Sequence, residues 1–156
     1  MSIGRKLKEY LSDARVEYDL VEHPRTESSS RTAQVAHVPG DNLAKGVVLH
    51  HEAGYVLAVV PSTHRVEVGS LERTFGCNLD LASEPEIAGL FDDCRLGAIP
   101  PAGAAYEIDT VVDESLAELP EVWFEGGDHR TLVRVSGDGF RRLMAEAQQA
   151  QFSHHA

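Results

Sequence analysis

The alternation of apolar and polar residues divides the first half of the chain into short helices and strands. Apolar residues at helical spacing predict a first helix over 3–13, and an alternating stretch over 16–20 predicts a strand. Two almost wholly apolar runs, over 43–50 and 55–60, flank a Glu-Ala-Gly turn. They predict a hairpin with both faces covered by other parts of the protein.

Polar residues before the remaining apolar segments predict where helices begin. Ser29 or Ser30 is the predicted N-cap of a helix over 31–37, and Ser70 that of a helix over 71–75. Ser83 and Glu86 have the spacing of a capping box, which predicts a helix that reaches residue 91. Ser136 is the predicted cap of a last helix.

The order of the predicted elements indicates the fold class. Further strands are predicted at 66–68, 79–82, 108–112, 122–125 and 131–135. Strands and helices do not alternate regularly, which favours a mixed α/β fold in which helices surround a mixed sheet. Residues 147–156, including His154 and His155, are expected to form a frayed, variable tail.

Length and composition favour one compact domain. The chain has 156 residues, 42% hydrophobic and 25% charged, which suits a single domain over 1–156 with its core over 3–146. No stretch approaches the roughly 20 apolar residues that a membrane span needs. The first residues lead directly into an amphipathic pattern rather than an apolar signal region, so we expect a cytoplasmic protein.

Net charge, cysteines and histidines indicate which partners and metals the protein is expected to bind. The formal net charge of -11 argues against tight, non-specific binding to nucleic acid. Arginines near the C-terminus and basic residues near the start are expected to form solvated faces. Cys77 and Cys94 are expected to be free thiols. The histidines lack zinc-site spacing, so we expect neither a metal nor a cofactor.

The pentapeptide GAIPP over residues 97–101, here named the 97–101 loop, is the most informative segment. Consecutive prolines donate no backbone hydrogen bond and restrict the residue before each of them. A rigid turn is one interpretation. The alternative is that free N–H groups of Gly97 and Ala98 bind a carbonyl or an anion, as in an oxyanion hole.

Three side chains are candidates for a polar pocket. Lys45 lies inside an apolar strand, so it either extends to the edge or points into a pocket. Asp113 ends a strand and can be a cap or a site residue. His129 follows Gly127 and Asp128 and is either exposed at a hairpin or lines a pocket. The sequence shows no motif for a covalent nucleophile.

Five short motifs in this order resemble YbaK/EbsC-type proteins, which are similar to the editing domain inserted in bacterial prolyl-tRNA synthetases. They are NLAK over 42–45, YVLAVVP over 55–61, GAIPP over 97–101, VVD over 111–113 and GGDH over 126–129. The resemblance covers about residues 3–146. It implies a curved, barrel-like mixed sheet surrounded by helices, and hydrolysis of the ester bond in mischarged aminoacyl-tRNA.

The resemblance also implies roles for individual residues. Gly97 and Ala98 present backbone N–H groups to the scissile carbonyl, and Lys45 holds polar or phosphate groups of the substrate. A hydroxyl of the terminal ribose of the tRNA helps to activate the water. The residues implied to contact substrate are Ile99, Pro100, Pro101, Asp113, Gly127, Asp128 and His129.

The implied partner is the 3′ end of an aminoacyl-tRNA, and a synthetase is a possible second partner. Such an enzyme is needed because one methylene in an apolar pocket contributes only about 1–3 kcal/mol of discrimination. Two alternatives stay open: a non-catalytic module that binds a nucleotide or aminoacyl group, and a hydrolase of another small ester or thioester. The amino acid and the oligomeric state are not readable from the sequence.

Overall fold

The structure is a computed structural model that describes residues 3–26 and 28–156. Within these residues, five α-helices and ten strands follow one another along the chain. The helices are α1 (Arg5–Asp13), α2 (Ser29–Ala36), α3 (Val68–Phe75), α4 (Glu84–Leu90) and α5 (Gly137–Leu143). The strands are β1 (Tyr18–Glu22), β2 (Leu43–His51), β3 (Gly54–Pro61), β4 (His64–Val66), β5 (Asp80–Leu81), β6 (Asp109–Asp113), β7 (Glu121–Glu125), β8 (Thr131–Ser136), β9 (Gln148–Ala150) and β10 (Ser153–His155).

Most strands belong to one mixed sheet in the order β1-β8-β7-β2-β3-β6-β9. Strands β2 and β3 form the predicted antiparallel hairpin, whereas β2–β7, β3–β6 and β6–β9 are parallel pairs. The short strand β5 adds to the far end of β2. The predicted mixed α/β class is therefore confirmed. Among the described residues, the end strands β1 and β9 are not paired with each other.

Strand β3 lies between two hydrophobic clusters, because its side chains alternate between the two faces of the sheet. Leu57 and Val59 pack in the larger cluster with α1 and α5. Val56, Ala58 and Val60 pack in the second cluster with Leu71 of α3 and with Phe152. This arrangement explains why β3 is apolar at nearly every position.

Helix starts differ in detail from the prediction. The N-cap of α2 is Ser28, whose Oγ accepts a hydrogen bond from the Arg31 N–H at 3.2 Å, and not Ser29 or Ser30. Helix α3 begins at Val68 after Glu67, so Ser70 lies inside the helix and does not cap it. The capping box of Ser83 and Glu86 at the start of α4 is confirmed.

The C-terminal residues form part of the fold, so the expected frayed tail is wrong. Strand β9 extends the main sheet beside β6, and β10 pairs with β4. Phe152 between them is 1% exposed. One apolar residue in a polar segment gives little periodic signal, whereas the unpaired edge of β6 offers a whole row of hydrogen-bonding groups to β9.

None of the helices within residues 3–26 and 28–156 is long and apolar enough to cross a membrane.

Candidate active site

A cavity of about 220 Å³ lies where β2, the 97–101 loop, the start of α4 and the end of β7 meet. Its lining includes Lys45, Gly97 and Ile99, together with the carboxylates Glu84 and Glu125. The structure therefore brings together the lysine and the glycine-proline loop that lie about fifty residues apart in the sequence. We refer to this space as the Lys45 cavity.

Lys45 is half-buried in β2 and is one of the residues that line this cavity. Its Nζ donates to the carbonyl oxygen of Ser62 at 3.5 Å. Burial lowers the pKa of Lys45, and the nearby charge of Arg65 lowers it further. No carboxylate of the described residues pairs with its ammonium, so the charge is available to a ligand.

Glu125 reaches the cavity because of the register between β2 and β7. The parallel pairing places Ala44 beside Phe124, both of them in the larger core cluster. The next residue of each strand is charged, Lys45 in one and Glu125 in the other. The two strands therefore bring a cation and a carboxylate to the same cavity without joining them in an ion pair.

The 97–101 loop is partly buried. Gly97 has φ 83°, a left-handed conformation that favours glycine. Pro100 and Pro101 are buried, and Ile99 is half-buried. Gly97 has no side chain, so it lines the cavity with backbone atoms. Its N–H donates no hydrogen bond to any described residue.

The expectation that the Ala98 N–H is free is wrong. This N–H donates to the carbonyl oxygen of Arg95 at 3.1 Å, and Ala98 is fully buried. The bond closes a tight turn over residues 95–98, which the sequence does not reveal. Of these two candidate donors, only the Gly97 N–H is left without a partner in the described part of the chain.

The Gly126–His129 turn is hydrogen-bonded to the two residues that precede the 97–101 loop. The Arg95 N–H donates to the Gly127 carbonyl oxygen at 2.8 Å. His129 is 3% exposed, and its Nε2 is hydrogen-bonded to the Leu96 carbonyl oxygen. His129 is therefore neither exposed nor part of the cavity lining, and it holds the residue next to Gly97.

Gly127 and Asp128 line a different groove, together with Cys94 and Arg95. The Asp128 carboxylate accepts hydrogen bonds from the Arg130 and Thr131 N–H groups at 2.9 and 2.8 Å, and from the Thr131 hydroxyl at 2.9 Å. Burial raises the pKa of Asp128, but these hydrogen bonds outweigh it and hold the pKa below its ordinary value. The carboxylate thus stabilises the turn.

Asp113 is not brought to the Lys45 cavity. It is 2% exposed at the end of β6, and it accepts hydrogen bonds from the Phe152 N–H at 2.9 Å and the Ser115 N–H at 3.1 Å. Burial raises the pKa of Asp113, but the hydrogen bonds outweigh it and the pKa lies below its ordinary value. Asp113 lines a separate polar cavity together with His64. Its carboxylate caps the short helical turn that follows β6.

Sequence reasoning missed Glu125, which is 6% exposed and lines the Lys45 cavity. Burial raises the pKa of Glu125, although His23, Thr32 and His129 act in the opposite direction. The available signal was its position as a carboxylate that ends an apolar strand before a glycine pair. Asp113 shares part of this signal, since it is a carboxylate at the end of a strand.

The thiol nearest to this region is unsuited to nucleophilic catalysis. Cys94 donates to Asp93 Oδ1 at 3.2 Å and lies 3.3 Å from the Tyr106 hydroxyl. Burial raises the pKa of the Cys94 thiol to about 12, so the thiol stays protonated at neutral pH.

Three side chains of the kinds that bind metal ions lie close together outside the Lys45 cavity. They are far apart in the sequence, so residue spacing could not predict this cluster. The ligand atoms of Asp41, His64 and His155 all lie within 4.8 Å of one another. His155 Nε2 is 3.0 Å from Asp41 Oδ1, and its ring lies against that of His64. These contacts help to attach β10 to the protein, and they are not part of the Lys45 cavity.

Comparison with known families identifies the class of domain. The model of the aminoacyl-tRNA editing domain family matches residues 23–143. Because the match covers most of the chain, the protein belongs to this family. The resemblance to YbaK-like editing domains is thereby confirmed. No curated protein sequence matches the chain.

Solved structures agree with this family. A candidate trans-editing enzyme for prolyl-tRNA synthetase has 27% sequence identity and a TM-score of 0.82, with 96% of each chain covered. A protein from a study of epitope grafting onto scaffolds has 27% identity and a TM-score of 0.83, with 97% of each chain covered. A hypothetical protein of 22% identity, with a TM-score of 0.84 over 96% of this chain and all of its own, supports the fold alone.

Proposed function

We propose that the protein is a trans-editing deacylase that hydrolyses the ester bond of mischarged aminoacyl-tRNA. Membership of the editing domain family supports the substrate class. The observation that carries the proposal is that Lys45 and Gly97 line the same cavity, and that neither the Lys45 ammonium has a carboxylate partner nor the Gly97 N–H a hydrogen-bond partner in the described part of the chain. A backbone N–H can stabilise the negative charge that develops on the carbonyl oxygen in acyl transfer.

The reaction begins when the ester carbonyl enters the cavity with its oxygen at the Gly97 N–H. Water attacks the carbonyl carbon, assisted by a hydroxyl of the terminal ribose, and negative charge develops on the carbonyl oxygen. The Gly97 N–H stabilises that charge. The bond to the ribose oxygen then breaks, that oxygen takes up the proton that the attacking water has lost, and free amino acid and tRNA leave.

The other residues of the site hold the substrate and the loop. Lys45 binds a polar or phosphate group of the 3′-terminal nucleotide as a point charge. Ile99 forms an apolar wall against the aminoacyl side chain, and the buried Pro100 and Pro101 keep Gly97 in place. Ala98 and His129 act through the loop, by the hydrogen bonds to Arg95 and Leu96.

A panel of mischarged tRNAs, assayed beside simple esters and thioesters, tests this function. The wild-type protein is expected to release amino acid from at least one aminoacyl-tRNA. Lys45→Ala should lower kcat/KM for that tRNA by about 100-fold, as expected when an enzyme loses a charge at its site, without altering the circular dichroism spectrum. Lys8→Ala, an exposed lysine of α1, is the control and should keep full activity.

The panel also separates the competing functions. Binding of aminoacyl-tRNA without turnover on any substrate would indicate a binding module. Faster turnover of a simple ester or thioester than of any aminoacyl-tRNA would indicate a different hydrolase. Full activity of Lys45→Ala would overturn the role of this lysine.

Some basic residues of this acidic protein are already held in ion pairs. Arg134 pairs with Asp19 and Glu121, and Arg141 pairs with Asp138. By contrast, Arg95 and Arg130 are exposed, make no ion pair with a described residue, and line the same groove as Gly127 and Asp128. We assign contacts with the phosphates of the tRNA 3′ end to these two arginines.

The salt dependence of binding tests this assignment. For single-stranded nucleic acid, each neutralised phosphate contributes a slope of about -0.7 to the logarithmic plot of affinity against salt. The double variant Arg95→Ala, Arg130→Ala should therefore reduce the slope by roughly 1.4, whereas Arg73→Ala on α3 should leave it unchanged. Affinity that does not vary with salt would overturn direct phosphate contacts and favour tRNA delivery by a synthetase partner.

A further inference from the structure

The Glu125 carboxylate is incompletely satisfied, although it is buried. Its Oε1 accepts a hydrogen bond from the Thr32 hydroxyl at 3.0 Å. Its Oε2 is inaccessible to solvent and has no hydrogen-bond partner among the described residues. Buried polar atoms are nearly always hydrogen-bonded, so an orphan of this kind points to a missing partner.

The histidine beside Glu125 does not supply that partner. His23 Nε2 lies 3.4 Å from Oε1, close enough for an ion pair but not aligned for a hydrogen bond. The other ring nitrogen of His23, Nδ1, is 2.7 Å from the Pro24 carbonyl oxygen, to which it donates. His23 therefore faces the oxygen that Thr32 already holds, and Oε2 is left alone.

The position of Glu125 in the wall of the Lys45 cavity indicates where the partner comes from. The Lys45 ammonium does not pair with Glu125 or with any other described carboxylate. Within residues 3–26 and 28–156, the cavity is thus lined by a lysine without a carboxylate partner and by a glutamate whose unpaired Oε2 is covered, so a ligand in the cavity reaches this oxygen only when the Glu125 side chain turns toward it. A ligand that fits both residues carries a hydrogen-bond acceptor or anion for Lys45 and a cationic donor for Glu125.

We propose that Glu125 binds the α-ammonium group of the aminoacyl ester and so restricts the site to substrates with a free amino group. This inference rests on the proposed function. An aminoacyl ester carries its ammonium one carbon from the scissile carbonyl, and an ammonium is the donor that an unpartnered carboxylate oxygen accepts best. Thr32 and His23 are positioning residues that hold Oε1.

The test compares an aminoacyl ester with its α-hydroxyacyl counterpart, for example alanyl-tRNA with lactyl-tRNA. The two differ in shape by very little, but the hydroxyl that replaces the ammonium is neutral. The wild-type protein should prefer the aminoacyl ester by about 10-fold to 100-fold in kcat/KM, the range expected for one charge-assisted hydrogen bond. Glu125→Gln should reduce this preference to within about threefold, mainly by loss on the aminoacyl ester.

Glu84→Gln is the matched control, because Glu84 is an exposed carboxylate of the same cavity. This variant should keep the preference of the wild type. Retention of the preference in Glu125→Gln, or its loss in Glu84→Gln, would overturn the assignment while leaving the deacylase function intact. Deacylation of neither ester nor any other aminoacyl-tRNA would overturn the proposed function, and the assignment with it.

A binding measurement keeps the proposal testable if Glu125→Gln does not fold. Amide-linked analogues of 3′-aminoacyl and 3′-hydroxyacyl adenosine are not hydrolysed and can be titrated into the wild-type protein. Tighter binding of the analogue with the free amino group is expected, by at least about tenfold. Equal binding of the two analogues by the wild-type protein would overturn the role of Glu125 without any variant.

Discussion

His129 Nε2 is hydrogen-bonded to the backbone carbonyl oxygen of Leu96, so a buried histidine fixes the residue that precedes Gly97. The ring is thus linked to the Lys45 cavity through the backbone rather than through contact with it. His129 also has φ 65°, a conformation that asparagine tolerates better than most residues. These facts define a positioning residue rather than a catalytic one.

Replacement of His129 should show whether this residue positions the loop or contacts the substrate directly. His129→Ala removes the bond to Leu96 and should lower kcat by about tenfold and the free energy of unfolding by about 1–3 kcal/mol. His129→Asn retains a donor and the backbone conformation, so it should restore much of kcat. Measurement of kcat and KM for one mischarged tRNA checks this. A rise in KM alone, with no rescue by asparagine, would instead indicate direct contact with substrate.

Gly97 and Gly76 form a matched pair, since both are glycines with φ near 70–80° (83° and 68°) but only Gly97 lines the cavity. Alanine at either position should reduce the free energy of unfolding by about 1 kcal/mol, because a side chain disfavours this conformation. Only Gly97→Ala should also lower kcat/KM, by about tenfold or more, since the N–H at the carbonyl is displaced. Equal activity of the two variants in a deacylation assay would argue that the loop has no role in catalysis.

The sequence is sufficient to predict elements whose signal is local. The β2–β3 hairpin, the capping box at Ser83 and the cluster of Lys45 with the 97–101 loop follow from apolar runs, cap spacing and family motifs. The internal bond of Ala98, the docking of residues 148–155 and the burial of Glu125 depend on contacts between distant segments. Hydrophobic periodicity contains no information about such contacts, so these features were missed or predicted wrongly.

Asp113 illustrates the difference between a motif and its position in the fold. The resemblance implies contact with substrate, but the carboxylate accepts hydrogen bonds from Ser115 and Phe152 at the junction with the C-terminal strands. Asp113→Asn is therefore expected to lower the free energy of unfolding at pH 7 by about 1–3 kcal/mol, with little change in kcat/KM. Loss of activity at unchanged stability would support the substrate contact instead.

The pH dependence gives a second measurement on Asp113→Asn. A carboxyl whose pKa is lowered by folding stabilises the protein above the pKa of the unfolded chain, about 3.9, and this contribution is lost as the pH falls through the lower folded value. The difference in unfolding free energy between wild type and Asp113→Asn should therefore be full near pH 7 and shrink below about pH 4. Denaturant titrations across this range provide the values.

Glu125 should show the opposite dependence on pH, because burial raises its pKa. A carboxyl with a raised pKa holds its proton more tightly in the folded protein, so it favours folding at low pH, and that contribution is lost as the pH rises through the folded pKa. Glu125→Gln is neutral at every pH. Its melting temperature should rise relative to that of the wild type between about pH 4 and pH 8. A difference in melting temperature that stays constant across this range would show that Glu125 titrates alike in the folded and unfolded protein.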